Sequence, residues 1–146
     1  MKKISKKWKL LIGIFGAFVI FNLVWATTIS LKYGQYTKQV PKNDLGIYGK
    51  TDQDGYSYNV KKPDYLQFTG NLGVTSESGN SLIIWPKLTG GYEYGVILSV
   101  DHTMYQITLD SNMQTKDEDE YIKKLVENHQ DTILELLDKA KNMWEL

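Results

Sequence analysis

Leu10–Leu31, LLIGIFGAFVIFNLVWATTISL, carries no charged residue between Lys9 and Lys32, and the rest of the chain is organised around it. As a helix its 22 residues rise about 33 Å, close to the roughly 30 Å hydrocarbon core of a bilayer. A helix satisfies its own backbone groups in lipid, so Asn22, Thr27, Thr28 and Ser30 are tolerable polar costs. Trp8 before the run, and Tyr33 and Tyr36 beyond it, suit the two interfacial aromatic belts. Met1–Lys9 holds five lysines and no acid, whereas only Lys32 and Lys38 lie close beyond the other end. That bias puts the N-terminus in the cytoplasm and the remaining chain outside it. The expectation is a single-pass signal-anchor in the cell membrane.

A cleaved secretory signal is the alternative. Lysines would form its n-region, Leu10–Phe21 its h-region, and Val24-Trp25-Ala26 the small-residue cleavage site. The retained anchor is favoured because the uncharged stretch continues past Ala26 far enough to span. Either reading exports the same chain. The expected organisation is a basic cytoplasmic N-terminus over residues 1–9, an anchor over 10–31, a polar tether over 32–43 and one extracytoplasmic domain over 44–146.

Beyond the anchor there is room for one domain with a modest core. The chain has no cysteine, which excludes disulfides, thiolate metal sites, thiol nucleophiles and a lipidated cysteine. Five of the 17 lysines precede the anchor, so 12 face all 17 acids beyond it, a net charge of −5. There is no arginine, the residue best suited to bidentate phosphate and base-edge contacts, so nucleic acid is not an expected partner.

Short β-type runs punctuated by turn residues follow the tether. Gly46–Lys50 and Tyr56–Val60 flank a hairpin loop over 51–55, with Gly55 taking positive φ. Tyr65–Thr75 is expected as one strand, with Leu66, Phe68, Leu72 and Val74 on one face and a bulge or bend at Gly70. Ser76–Asn80 is a further turn. A two-residue turn at Gly90-Gly91 sets Trp85 opposite Val96 and Ile83 opposite Leu98. A second at Asp101-His102 sets Val96 opposite Ile107 and Leu98 opposite Tyr105. Ile83, Trp85, Val96, Leu98, Val100, Tyr105, Ile107 and Leu109 then share one apolar face, with Trp85 at its centre. Pro86, lacking a ladder donor, implies an edge or a bend.

Thr115 and Glu118 have capping-box spacing, and acids 117–120 suit the positive end of a helix. Ile122, Val126, His129, Ile133, Leu137, Ala140 and Trp144 follow helical spacing, so one long helix over about 116–144 is expected, its stripe lying on the apolar face of the sheet. The expected fold class is therefore α+β: a transmembrane helix, an antiparallel meander of five or six strands and one long C-terminal helix.

Catalytic signals are weak. Asp52-x-Asp54-Gly55 echoes a calcium loop, but Lys50 and Lys61 stand where acids are needed, so it reads as a hairpin turn. Two histidines, His102 and His129, cannot form a multi-histidine metal site. Ser99, Asp101 and His102 lie on one strand and its turn, without the ordering of a triad. Glu77, Glu93, Asp101 and Asp110 are the acids from which a carboxylate hydrolase would draw its pair, the alternative function. No cofactor, metal or catalytic residue is expected. The ten tyrosines all follow the anchor, and Tyr56 with Tyr58, and Tyr92 with Tyr94, share strand faces. These four form the candidate binding surface of a non-enzymatic accessory module that binds an envelope protein or cell-wall polymer. Tyrosine also builds β-rich cores.

Overall fold

The computed structural model describes residues 5–146; Lys2 and Lys3 of the basic cluster lie outside the described residues. The first helix, α1 (Lys6–Thr37), starts at Ser5, whose hydroxyl accepts the Trp8 N–H at 3.4 Å. Its 32 residues rise about 48 Å. It is the one described helix long and apolar enough to cross a membrane, and its most apolar window contains no buried residue. Its last turns differ sharply. Ile29, Tyr33 and Tyr36 are buried in the core of the β-rich body. Residues 32–37, expected within a tether, therefore continue the helix, because burial of two aromatic rings outweighs the local signals of Gly34 and polar neighbours. Val40 enters the same core just beyond.

Six antiparallel strands form a meander in chain order: β1 (Tyr48–Thr51), β2 (Ser57–Lys61), β3 (Asn71–Thr75), β4 (Ser81–Pro86), β5 (Tyr92–Val100) and β6 (Thr103–Leu109). The β1–β2 hairpin turns over residues 52–56 with Gly55 at φ 83°. At the β5–β6 turn Asp101 and His102 both take positive φ, which matches the strand twist. Val96 pairs with Ile107 and Leu98 with Tyr105, as expected.

The β4–β5 hairpin departs from expectation. Its loop takes in Lys87–Gly91, closed by Lys87 N–H donating to the Gly91 carbonyl at 3.0 Å. Leu82 consequently pairs with Val96, and Trp85 with Glu93. The expected Trp85–Val96 and Ile83–Leu98 pairs are not formed. An odd shift of three residues moves every β4 side chain to the other face. Leu82 and Ile84 are fully buried, while Ile83 and Trp85 point away from the core, with Trp85 lying across Gly95, where a Cβ would sit 2.9 Å from the indole ring. Both faces of β4 are apolar, so alternation could not choose between them. Pro86 is the last residue of β4, an internal strand, and ends it.

The strand expected from Tyr65 begins at Asn71 instead. Leu66 is exposed at φ 65°, and Gly70 lies so close to the Lys61 carbonyl that a Cβ would collide with it. The single C-terminal helix is two, α2 (Glu120–Asn128) and α3 (Gln130–Trp144). Asp119, not Thr115, caps α2, its carboxylate accepting the Tyr121 N–H at 2.8 Å. Thr115 is held instead in a β-bridge to Leu109. At the break His129 leaves helical geometry (φ −110°, ψ 15°), with Nδ1 2.8 Å from the Leu125 carbonyl. Ile133, Leu136, Ala140 and Trp144 of α3 are buried, and α3 packs over β3 and β4. Leu137, expected at the centre of the stripe, only flanks it.

The register makes a direct prediction for urea titrations of the solubilised chain. Ile84→Ala should cost about 2–5 kcal/mol, and Ile83→Ala clearly less. The reverse order would restore the two-residue turn.

Candidate functional site

The four candidate tyrosines all lie on the helix-covered side of the sheet, in two separate clusters. Tyr56 closes the β1–β2 turn and Tyr58 stands in the first half of β2. Tyr58 is buried edge-on against Trp144 (centroids 6.0 Å apart), with the Lys50 ammonium 5.7 Å from its ring. Tyr56 is half-buried beneath the Lys139 ammonium, 4.6 Å from the ring centroid. A hydrogen bond to the Glu135 carboxylate, with burial second, pushes the Tyr56 phenol up to about 12. Lys139 also pairs with Asp54, whose carboxyl is held below its usual value chiefly by that hydrogen bond. Desolvation raises the Tyr58 phenol.

Tyr92 and Tyr94 stand at the start of β5, at the other end of the sheet. Their rings are 6.3 Å apart, and the Tyr92 hydroxyl lies 3.4 Å from that of Tyr36 on α1. Burial raises the Tyr94 phenol. The strand faces were read correctly, but the two pairs do not converge on one surface. One pair joins the sheet to α3, the other to α1.

The candidate acids are each engaged locally. Glu93 pairs with Lys87 at 3.2 Å, and Asp110 accepts the backbone N–H groups of Asn112 and Gln114 at 2.8 and 2.9 Å. Asp101 forms its turn at φ 47°, and Glu77 packs over Gly55. Asp52 and Asp54, the calcium-loop echo, pair with Lys50 and Lys139. His102 is exposed in its turn, and the Ser99 N–H donates to Asn80 Oδ1 at 2.9 Å. Among the described residues, no three acids or histidines gather as metal ligands.

A different concavity combines charge and an aromatic face. Beside β1, whose outer side is bridged by residues 41–43, an open depression of about 600 Å³ is lined by Lys42, Gly46, Ile47, Tyr48, Asn59, Val60, Lys61 and Lys62. The ammonium groups of Lys62 and Lys42 lie 5.0 and 5.8 Å from the Tyr48 ring centroid. Lys61 pairs with Asp64 at 3.6 Å, but the wall itself contains no acid. Tyr48 was not singled out from the sequence. The lysine pair at 61–62 was the available signal, and it meets Lys42 only because β1 and β2 form a hairpin. Comparisons with protein-family models, with curated proteins and with solved structures find no match.

The Tyr56–Glu135 bond has a pH signature. A phenol whose value in the folded chain is about 12, against an ordinary 10.0, favours folding fully below pH 10.0, and that contribution is lost as pH rises toward 12. Glu135→Gln should let Tyr56 ionise at lower pH in a phenolate-absorbance titration. Superimposable curves would show that the bond does not form.

Proposed function

We propose that this chain is a single-pass membrane protein whose β-rich domain stands outside the cytoplasm as a non-enzymatic accessory module for an anionic cell-wall polymer. The lysine bias around α1 supports the topology. Retention of the anchor is supported by contacts upstream of Ala26. The Trp25 indole N–H donates to the Gln67 carbonyl at 2.7 Å, and the Tyr65 hydroxyl donates to Asn22 Oδ1 at 2.6 Å. Cleavage after Ala26 would remove both partners.

The observation that carries the ligand class is the acid-free lysine and tyrosine concavity on a domain of net charge −5. Lys42 and Lys62 offer six ammonium donors to phosphate or carboxylate groups, and Tyr48 offers an apolar face to a sugar ring. Pelleting of the solubilised protein with isolated cell walls tests the reading. The Lys42→Ala, Lys62→Ala double variant should bind about tenfold more weakly or worse, since each charge-assisted contact is worth about 1.5 kcal/mol or more. Added salt should weaken the wild type in the same direction. Equal pelleting of variant and wild type would remove this concavity as the site.

A further inference from the structure

A meander alternates its connections between two ends. The turns at residues 52–56, 76–80 and 101–102 share one end, and the loops at 62–70 and 87–91 share the other. Both of these loops grip α1. On one flank the Tyr65 ring meets Trp25 edge-on at 5.3 Å, and the loop carries the Asn22 and Trp25 hydrogen bonds described above. On another, the Lys32 ammonium donates to the Lys87 carbonyl, and Leu88 faces the same depression as Leu31.

The grip reaches inside the apolar run. A hydrocarbon core of about 30 Å takes about 20 helical residues, which from Leu10 ends near Ile29. Asn22 lies about 10 Å on the membrane side of that point, and Trp25 about 6 Å. A loop tip bonded to both cannot stand clear of the bilayer. Its chemistry suits that depth, since Tyr65 and Leu66 are more than half exposed and Leu88 is 51% exposed. Leu66 is also held in left-handed backbone, which disfavours a non-glycine residue, with its side chain turned away from the core.

We infer that the 62–70 and 87–91 loops seat the domain in the outer interface of the bilayer, with Leu66 and Leu88 inserted among the lipids beside α1. The inference rests on the anchor reading. Lys62 and Lys87, the latter paired with Glu93, lie at the bases of the two loops, where ammonium groups can reach lipid phosphates while the leucines point inward. The seat would also hold the basic edge concavity, to which Lys61 and Lys62 contribute, close to the membrane surface.

The chain has no cysteine, so single cysteines at Phe18, Leu66, Leu88 and Met104 can each carry one bimane fluorophore. Met104 is 71% exposed beside the 101–102 turn, at the far end of the sheet. The full-length protein is reconstituted into phosphatidylcholine–phosphatidylglycerol vesicles, either without brominated lipids or with a mixture of lipids brominated near the top and near the end of the acyl chains. Phe18, Leu66 and Leu88 labels should lose emission to bromine, while the Met104 label keeps it. If Phe18 is quenched but the leucine labels behave like Met104, the seat is overturned and the anchor stands. A leucine that alone behaves like Met104 removes its loop from the interface. An unquenched Phe18 label overturns the anchor and the seat together. Quenching at all four positions would mean the whole sheet lies on the lipid, which contradicts a seat formed by one end.

Discussion

Tyr33 enters the core of the β-rich body with its ring fully buried, and its hydroxyl accepts the Gly70 N–H at 2.6 Å. Gly70 has no room for a Cβ beside the Lys61 carbonyl, so this close approach requires glycine, and its buried N–H requires an acceptor there. Leaving such a donor unpaired costs about 1–3 kcal/mol, a substantial fraction of the 5–15 kcal/mol that holds a domain together. With Ile29 and Tyr36 buried beside it, Tyr33 makes the end of the apolar helix part of the fold. The last turns of α1 are therefore packed into the same core as the sheet.

That coupling organises the remaining features. The loops at one end of the meander lie against α1, while the opposite end carries the short hairpin turns. Under the proposed topology the first end faces lipid. The lysine-lined depression beside β1 lies at the same end of the sheet as these loops. The tyrosines serve the interior more than the exterior: Tyr58 supports Trp144 of α3, and Tyr92 supports Tyr36 of α1. Tyr58 and Tyr92 thus act as joints between layers.

The long apolar helix, the antiparallel meander and the C-terminal helical stripe were legible because each rests on a periodicity that burial enforces. The β5–β6 register was legible because a two-residue turn there leaves one apolar face. β4 was not, since Leu82, Ile83, Ile84 and Trp85 are apolar on both faces and only the true loop length chooses between them. The break at His129 was hidden because the apolar spacing runs through it. Residues 32–37 read as a tether because their burial depends on distant partners, among them the Gly70 N–H that Tyr33 accepts. The edge concavity was invisible for the same reason, as Lys42 and Lys62 are separated in sequence and meet at Tyr48 through the hairpin.

The central claim is that α1 and the β-rich body form one continuous rigid unit. Hydrogen exchange of the full-length protein in lipid nanodiscs reads this amide by amide. If the claim holds, the amides of residues 29–37 exchange as slowly as those of the central strands β3 and β4, because both open only when the core opens. Rapid exchange over residues 32–37, while β3 and β4 stay protected, would mean a flexible tether and would contradict the account.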